Sequence, residues 1–232
     1  HKFRTFTEAA PVAIMIYQGE KFIYANQESL NITEYSLEEL LQMKFWDIVH
    51  PDYQELIKHR GMERQKGKKV EGSYEFKIIS KTGREIWIDF RAELIEFRGN
   101  PAVLLTALDV NDRKRSELVR TVTFNISEAA NTAVSQTDLF QTIHTEMKKL
   151  FPQMNVIIGL YKKNEQVFQR PYIEDASYLY KSVPIKNAFS SLVIEQKKSL
   201  LFSGDELNEL KSKFGIDPIG KHPESWLGVP MQ

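Results

Sequence analysis

Cysteine is missing from all 232 residues, which excludes disulfides, thiolate metal sites, thioether attachment of a bilin and the cysteine adduct of a photoreactive flavin. A reducing, cytoplasmic location fits that composition. An excess of either charge is missing too. Lysine and arginine number 31, aspartate and glutamate 31, so no net field gathers phosphate polymers or an anionic membrane at the surface. Neither nucleic acid nor a membrane is an expected partner. The basic runs at Arg113 to Arg115 and at Lys148-Lys149 read as solvated helix surface. Long apolar runs are lacking: Ala102 to Leu108 falls far short of the ~20 residues that span a bilayer. No charged-then-apolar leader opens the chain.

Signatures of catalysis are equally scarce. The histidines, His1, His50, His59, His144 and His222, show neither the HExxH pattern nor a paired spacing that would place two imidazoles on one metal. No metal ligand is assigned. There is no Gly-Lys-Ser/Thr phosphate loop, phosphoacceptor-histidine helix, cyclase string or Gly-x-Ser-x-Gly elbow. No catalytic residue is assigned either, and the chain reads as regulatory rather than enzymatic.

What is present fits two domains, since single domains commonly run to about 100 to 150 residues. Hydrophobic residues make up 42% and charged residues 27%, so each half can bury a core. The sequence starts inside a helical spacing and stops just after an apolar run, from which a larger parent protein is expected. Phe3, Phe6, Ala9 and Ala10 share that first helical spacing, which Pro11 ends. Val12 to Tyr17 is rich in β-formers, and Gly19 turns it back into Phe22 to Ala25. Short helices follow from Asn26 to Asp52, with Ser36 and Glu39 spaced as a capping box and Leu37, Leu40, Leu41 and Phe45 on the buried side. A helix from about Tyr53 to Lys66 carries Leu56 and Ile57 inward and stops at Gly67.

Three strands, about Ser73 to Ile79, Glu85 to Phe97 and Ala102 to Val110, are separated by turns at Gly83 and Gly99 and form an antiparallel meander. In the longest, Ile86, Ile88, Phe90, Ala92 and Leu94 alternate with Trp87, Asp89, Arg91 and Glu93, giving an apolar face that should meet the helices. Val119, Val122, Ile126, Ala129 and Ala133 then keep three-four spacing along a connecting helix. A second amphipathic helix runs from Leu139 to Phe151, capped by Thr137 or Asp138 and ended by Pro152. Strands are expected at Asn155 to Tyr161 and Val167 to Tyr172, a helix at Ser190 to Gln196, and a last apolar strand at Ser225 to Pro230.

In order, Tyr24-Ala25-Asn26, Tyr35-Ser36-Leu37-Glu38-Glu39-Leu40, His50-Pro51-Asp52, Lys81-Thr82-Gly83 and Asp109-Val110-Asn111-Asp112-Arg113-Lys114 resemble a PAS domain across roughly 110 residues. In the last motif Asn111 stands where the family has threonine and Asp112 where it has glutamate. The second half resembles a GAF domain through Ile126 to Ala130, Asp138-Leu139-Phe140, Ile157 to Tyr161 and Ser225-Trp226-Leu227-Gly228-Val229-Pro230-Met231. A strand and usually a helix would follow that string in the family, so the GAF domain is expected to be truncated. The stretch from Asn164 to Lys186 is short for the family and lacks a glycine-rich turn before Asn187.

The resemblance implies an α+β chain of two modules in series, each an antiparallel sheet with flanking helices. They would comprise a PAS domain at 1–112, a signalling helix at 113–135 and a GAF domain at 136–232. Phe45, Phe76, Ile88, Phe90 and Leu105 either line a small-molecule cavity or simply fill a core. No cofactor is assigned. His59 lies on the helix that bears the iron ligand in haem-binding relatives, but nearer the helix end than that pattern requires, and noncovalent flavin is not expected. Asp109, Asn111, Asp112 and Arg113 form either a transmission joint, with side chains bonding the first helix amides, or an ordinary helix cap. Three functional readings stand. One is a bacterial sensory input region that binds a small molecule or partner, works as a homodimer and controls an output domain beyond Gln232. Another is a ligand-free dimerisation scaffold pairing through Val119, Val122, Ile126, Ala129 and Trp87. The third is a fragment of a histidine kinase or nucleotide cyclase that lacks its catalytic domain.

Overall fold

A computed structural model describes residues 7–8, 10–173, 182–184, 189–214 and 224–230. The chain divides into two compact units, His1–Leu118 and Val119–Gln232. The helical turn expected around Phe3 and Phe6, residues 174–181 and 185–186 of the short stretch before Asn187, and Met231 lie outside the described residues.

The first unit is built on five strands: β1 (Ala13–Gln18), β2 (Lys21–Ala25), β3 (Ser73–Ile79), β4 (Glu85–Phe97) and β5 (Asn100–Asp109). All pair antiparallel, in the order β2-β1-β5-β4-β3. Between β2 and β3 lie three helices, α1 (Gln27–Thr33), α2 (Leu37–Gln42) and α3 (Pro51–Gln65). Ser36 caps α2 by accepting from the Glu39 amide, and Glu39 returns the bond to the Ser36 amide, so the capping box read from the sequence is formed. His50 caps α3, its Nδ1 accepting from the Asp52 amide, with Pro51 at the first helical position.

One face of the sheet and the inner faces of the helices enclose the core. Met15, Tyr17, Phe76, Ile78, Ile86, Ile88, Phe90 and Leu105 meet Leu40, Phe45, Ile48 and Ile57 there. Two side chains depart from expectation. Leu94 is exposed, because β4 runs on past the last residues the helices cover. Leu56 is exposed and Ile57 buried: neighbours in a helix diverge by about 100°, so only one can face the sheet.

Asn26 ties this unit together from a fully buried position. Its Oδ1 accepts from the Ile14 amide at 2.9 Å, the Ser29 amide at 3.1 Å and the Ser29 hydroxyl at 2.8 Å. Its Nδ2 donates to the Thr7 and Val12 carbonyls at 2.7 and 3.0 Å. One amide therefore caps α1 and fixes the start of β1 at the same time.

The second unit contains most of α4, which runs unbroken from Asn111 to Thr132 over 22 residues, as the three-four spacing predicted. Helix α5 (Gln136–Leu150) follows, capped by Ser135 and not by Thr137 or Asp138. Asp138 supplies the amide that the Ser135 hydroxyl accepts from, so the cap sits three residues before it. Asn125 on α4 donates to the buried Glu146 on α5 at 3.0 Å.

Strands β6 (Ile157–Lys162), β7 (Val167–Ile173) and β8 (Ser182–Pro184) form one antiparallel sheet. Beyond α6 (Ser190–Gln196), β9 (Leu200–Ser203) pairs with β10 (Ser225–Gly228), and α7 (Asp205–Phe214) lies between them in sequence. Strand β9 and helix α7 were not anticipated. Phe189, Leu192 and Leu207 form a small core there, with Trp226 and Phe202 stacked at 6.0 Å.

Replacing Asn26 by alanine strands the Ile14 amide and the Val12 carbonyl. The expected loss is about 3 kcal/mol, read as faster amide exchange throughout β1 and β5, with the α5 amides unaffected.

Candidate functional site

The inner face of the first unit holds a cavity of about 30 Å³. Phe45, Phe76, Ile88, Phe90 and Leu105 all line it, so the structure brings together the five residues singled out from the sequence. Their rings are closely packed: Tyr17 stacks on Phe45 at 4.1 Å, and Phe76 meets Phe90 edge-on at 5.3 Å. Pockets for drug-sized ligands run to about 300–1,000 Å³, far above this volume. His59, on the outer side of α3, is exposed and takes no part in the cavity.

Sequence reasoning missed the polar part of the lining. Ile57, Gly61 and Arg64 form the buried stripe of α3, spaced i, i+4, i+7. Gly61 lets the helix close on the ring beneath it, since a Cβ there would stand 2.4 Å from Phe45 and 2.9 Å from the Tyr17 hydroxyl. Arg64 is consequently only 5% exposed. Its guanidinium donates to the Glu71 carbonyl and also bonds the Tyr17 side chain. Burial pushes the Tyr17 phenol up to about 12 despite the opposing pull of Arg64. The spacing of Ile57, Gly61 and Arg64 was the available signal, but an arginine near a helix end reads as surface.

The second candidate lies where β5 passes into α4. Asp109 Oδ1 accepts from the Asn111 amide at 2.8 Å. Asn111 does not bond a helix amide as expected; its Oδ1 accepts from the Trp87 amide on β4 at 3.1 Å. The reason is the backbone: the Val110 amide already bonds the Trp87 carbonyl at 2.9 Å, which holds Asn111 against the strand. Arg113 and Lys114 both bridge to Glu75 on β3, and Lys114 lies over the Trp87 ring at 5.1 Å. Lys114, then Arg113, holds the Glu75 carboxyl below its ordinary range. Asp112 is exposed in the first helical turn, where a carboxylate suits the helix dipole.

Further along α4, Val119 is exposed, Val122 buried, and Ile126 and Ala129 partly buried. The four residues proposed for pairing thus differ in access, and Val122 is already covered within its own chain. Trp87 is partly buried against Lys77 and Lys114. Among the described residues, no three metal-ligating side chains cluster and no helix is long and apolar enough to cross a membrane.

Residues 22–106 match the family model of the PAS fold. A sensor associated with methyl sulfide methyltransferase in Methanosarcina acetivorans is 26% identical over 124 residues, covering 52% of this chain. The chain spans 12% of that relative's length. Among solved structures, the PAS domain of a two-component sensor histidine kinase matches at 21% identity and TM-score 0.36, over 47% of this chain and 94% of its own. A sensory box histidine kinase/response regulator from Burkholderia thailandensis matches at 18% identity and TM-score 0.42, over 57% and 100%. The first unit therefore carries a PAS domain, an α+β module on a five-stranded antiparallel sheet.

The raised Tyr17 pKa fixes a sign. The unfolded chain releases that proton near pH 10 and the folded one near 12, so the stabilisation present below pH 10 is lost as pH rises through 12. At pH 11 the wild type should have lost about 1.4 kcal/mol more, relative to pH 9, than Tyr17→Phe. Urea unfolding of the two proteins at both pH values measures it.

Proposed function

We propose that this chain is the sensory input region of a signal-transduction protein, in which a small molecule or partner acting on the PAS domain is relayed through α4. One observation carries this reading: the first turn of α4 is bonded to two strands of the sheet, to β4 through Asn111 and Trp87 and to β3 through Arg113, Lys114 and Glu75. A helix so attached follows its strands. The relative named as a sensor supports the same reading. The second unit is taken as a GAF domain, the functional unit as a homodimer in the cytoplasm, and the output as a histidine kinase or cyclic-di-nucleotide enzyme carried by the parent protein. No resident cofactor is proposed.

The small cavity favours a second reading, a scaffold whose PAS core is filled and whose role is pairing through exposed positions such as Val119. The two readings differ in whether the inner face and α4 are energetically coupled. Phe90→Leu perturbs the inner face without touching the joint. In the sensory reading it changes amide exchange at 111–118 by about tenfold, a 1.4 kcal/mol coupling. The change should vanish when Asn111→Ala and Glu75→Gln are also present. Exchange at 111–118 that ignores Phe90→Leu in the otherwise wild-type chain would sink the sensory reading in favour of the scaffold.

A further inference from the structure

Apart from Thr33, whose hydroxyl donates to the Ser29 carbonyl at 2.6 Å, the polar groups lining the inner-face cavity are Tyr17 on β1, Arg64 on α3 and Tyr74 on β3, its polar corner. Arg64 donates to the Glu71 carbonyl and to Tyr17, both neutral acceptors. The neighbouring Arg60 takes the Glu71 carboxylate at 2.8 Å. Among the described residues no carboxylate bridges to the buried Arg64 guanidinium. A guanidinium carries five N–H donors, more than these two acceptors occupy. The Tyr74 hydroxyl is buried with no hydrogen-bond partner. The Tyr17 hydroxyl interacts with Arg64 and carries an O–H donor of its own.

The corner thus offers several N–H and O–H donors from Arg64, Tyr17 and Tyr74, beside the acceptor lone pairs of the two hydroxyls. A buried cation and an unbonded buried hydroxyl both destabilise a fold, and a single acceptor-only anion relieves both. The volume agrees. On the scale where one water needs about 10–15 Å³, a cavity of about 30 Å³ holds two to three water-sized groups. A planar carboxylate presents two oxygens of this size at the spacing a guanidinium fork accepts. Ile57, Phe76, Phe90 and Leu105 supply the apolar remainder of the wall, which suits one methyl and nothing longer.

We propose that Arg64, Tyr17 and Tyr74 bind the carboxylate of a small aliphatic monocarboxylate, acetate in size. This names a ligand class for the sensory reading and rests on it. Sodium acetate, with acetamide as its uncharged isostere and sodium chloride as the ionic-strength control, is titrated into the whole chain. Two-dimensional amide spectra and saturation transfer to the acetate methyl are followed. The expected result is saturable shifts around β1, α3 and β3 with acetate alone. Tyr74→Phe removes only the unbonded hydroxyl oxygen, so it should fold as the wild type does and weaken acetate binding about tenfold. Arg64→Met should abolish binding.

Equal responses to acetate and acetamide, no response to either, or undiminished affinity in Tyr74→Phe would overturn the proposal and leave a corner filled by water. If acetate binds but exchange at 111–118 is unmoved, the site stands and the sensory reading falls. If acetate fails while Phe90→Leu still moves 111–118, the site falls and the sensory reading stands.

Discussion

The first unit depends on the pairing of its first strand with its last. β1 and β5 lie side by side in the centre of the sheet, Met15 opposite Leu105 and Tyr17 opposite Val103. Joining them closes a loop of nearly ninety residues, at an entropic cost of about 4 kcal/mol beyond the fixed cost of closure. No local propensity offsets that. The return comes from burial: only with β1 against β5 does the inner face become continuous, so that Tyr17 can stack on Phe45 and α3 can close over both. The same pairing fixes where β5 ends, and therefore where α4 must begin.

Two buried polar groups in this unit are handled in opposite ways. Asn26 uses both its donors and its carbonyl oxygen fully, within the chain. A satisfied buried amide is a fixed point, and it sets the relation of β1 to α1. Arg64 and Tyr74 are not satisfied in that way. A chain selected only for stability gains by replacing such groups with apolar ones of like volume. Their place beside the inner-face cavity, and not at random in the core, is what gives them functional weight.

Much of this architecture was legible because it is encoded locally. The Ser36–Glu39 capping box, the hairpin glycines Gly19, Gly83 and Gly99 with their positive φ, and the alternation of Ile86, Ile88 and Phe90 all act within a few residues of themselves. What escaped is assembled from distant segments. The polar corner joins residues 17, 64 and 74, and although Arg64 shares the spacing of Ile57 and Gly61, an arginine near a helix end reads as surface. Asn111 was singled out but partnered wrongly, because its acceptor role depends on where Trp87 lies, 24 positions away. Leu94 and Leu56 were misplaced because periodicity shows which side chains share a face, not how far the opposing layer reaches.

The cavity and the joint are one residue apart along the strands that connect them. In β3, Tyr74 faces the cavity and Glu75 faces the other way, to Arg113 and Lys114. In β4, Ile88 lines the cavity while its neighbour Trp87 bonds Asn111 through its amide. Because successive side chains of a strand point to opposite faces, a displacement of the backbone at the cavity is also a displacement at the joint. No chain of intermediate side chains is required, only a strand stiff enough to move as a unit, and the β4–β5 ladder from Phe97 back to Ile88 supplies that stiffness. Small ligands suffice for such a device, because an ångström of strand movement is enough to strain a charge-assisted hydrogen bond.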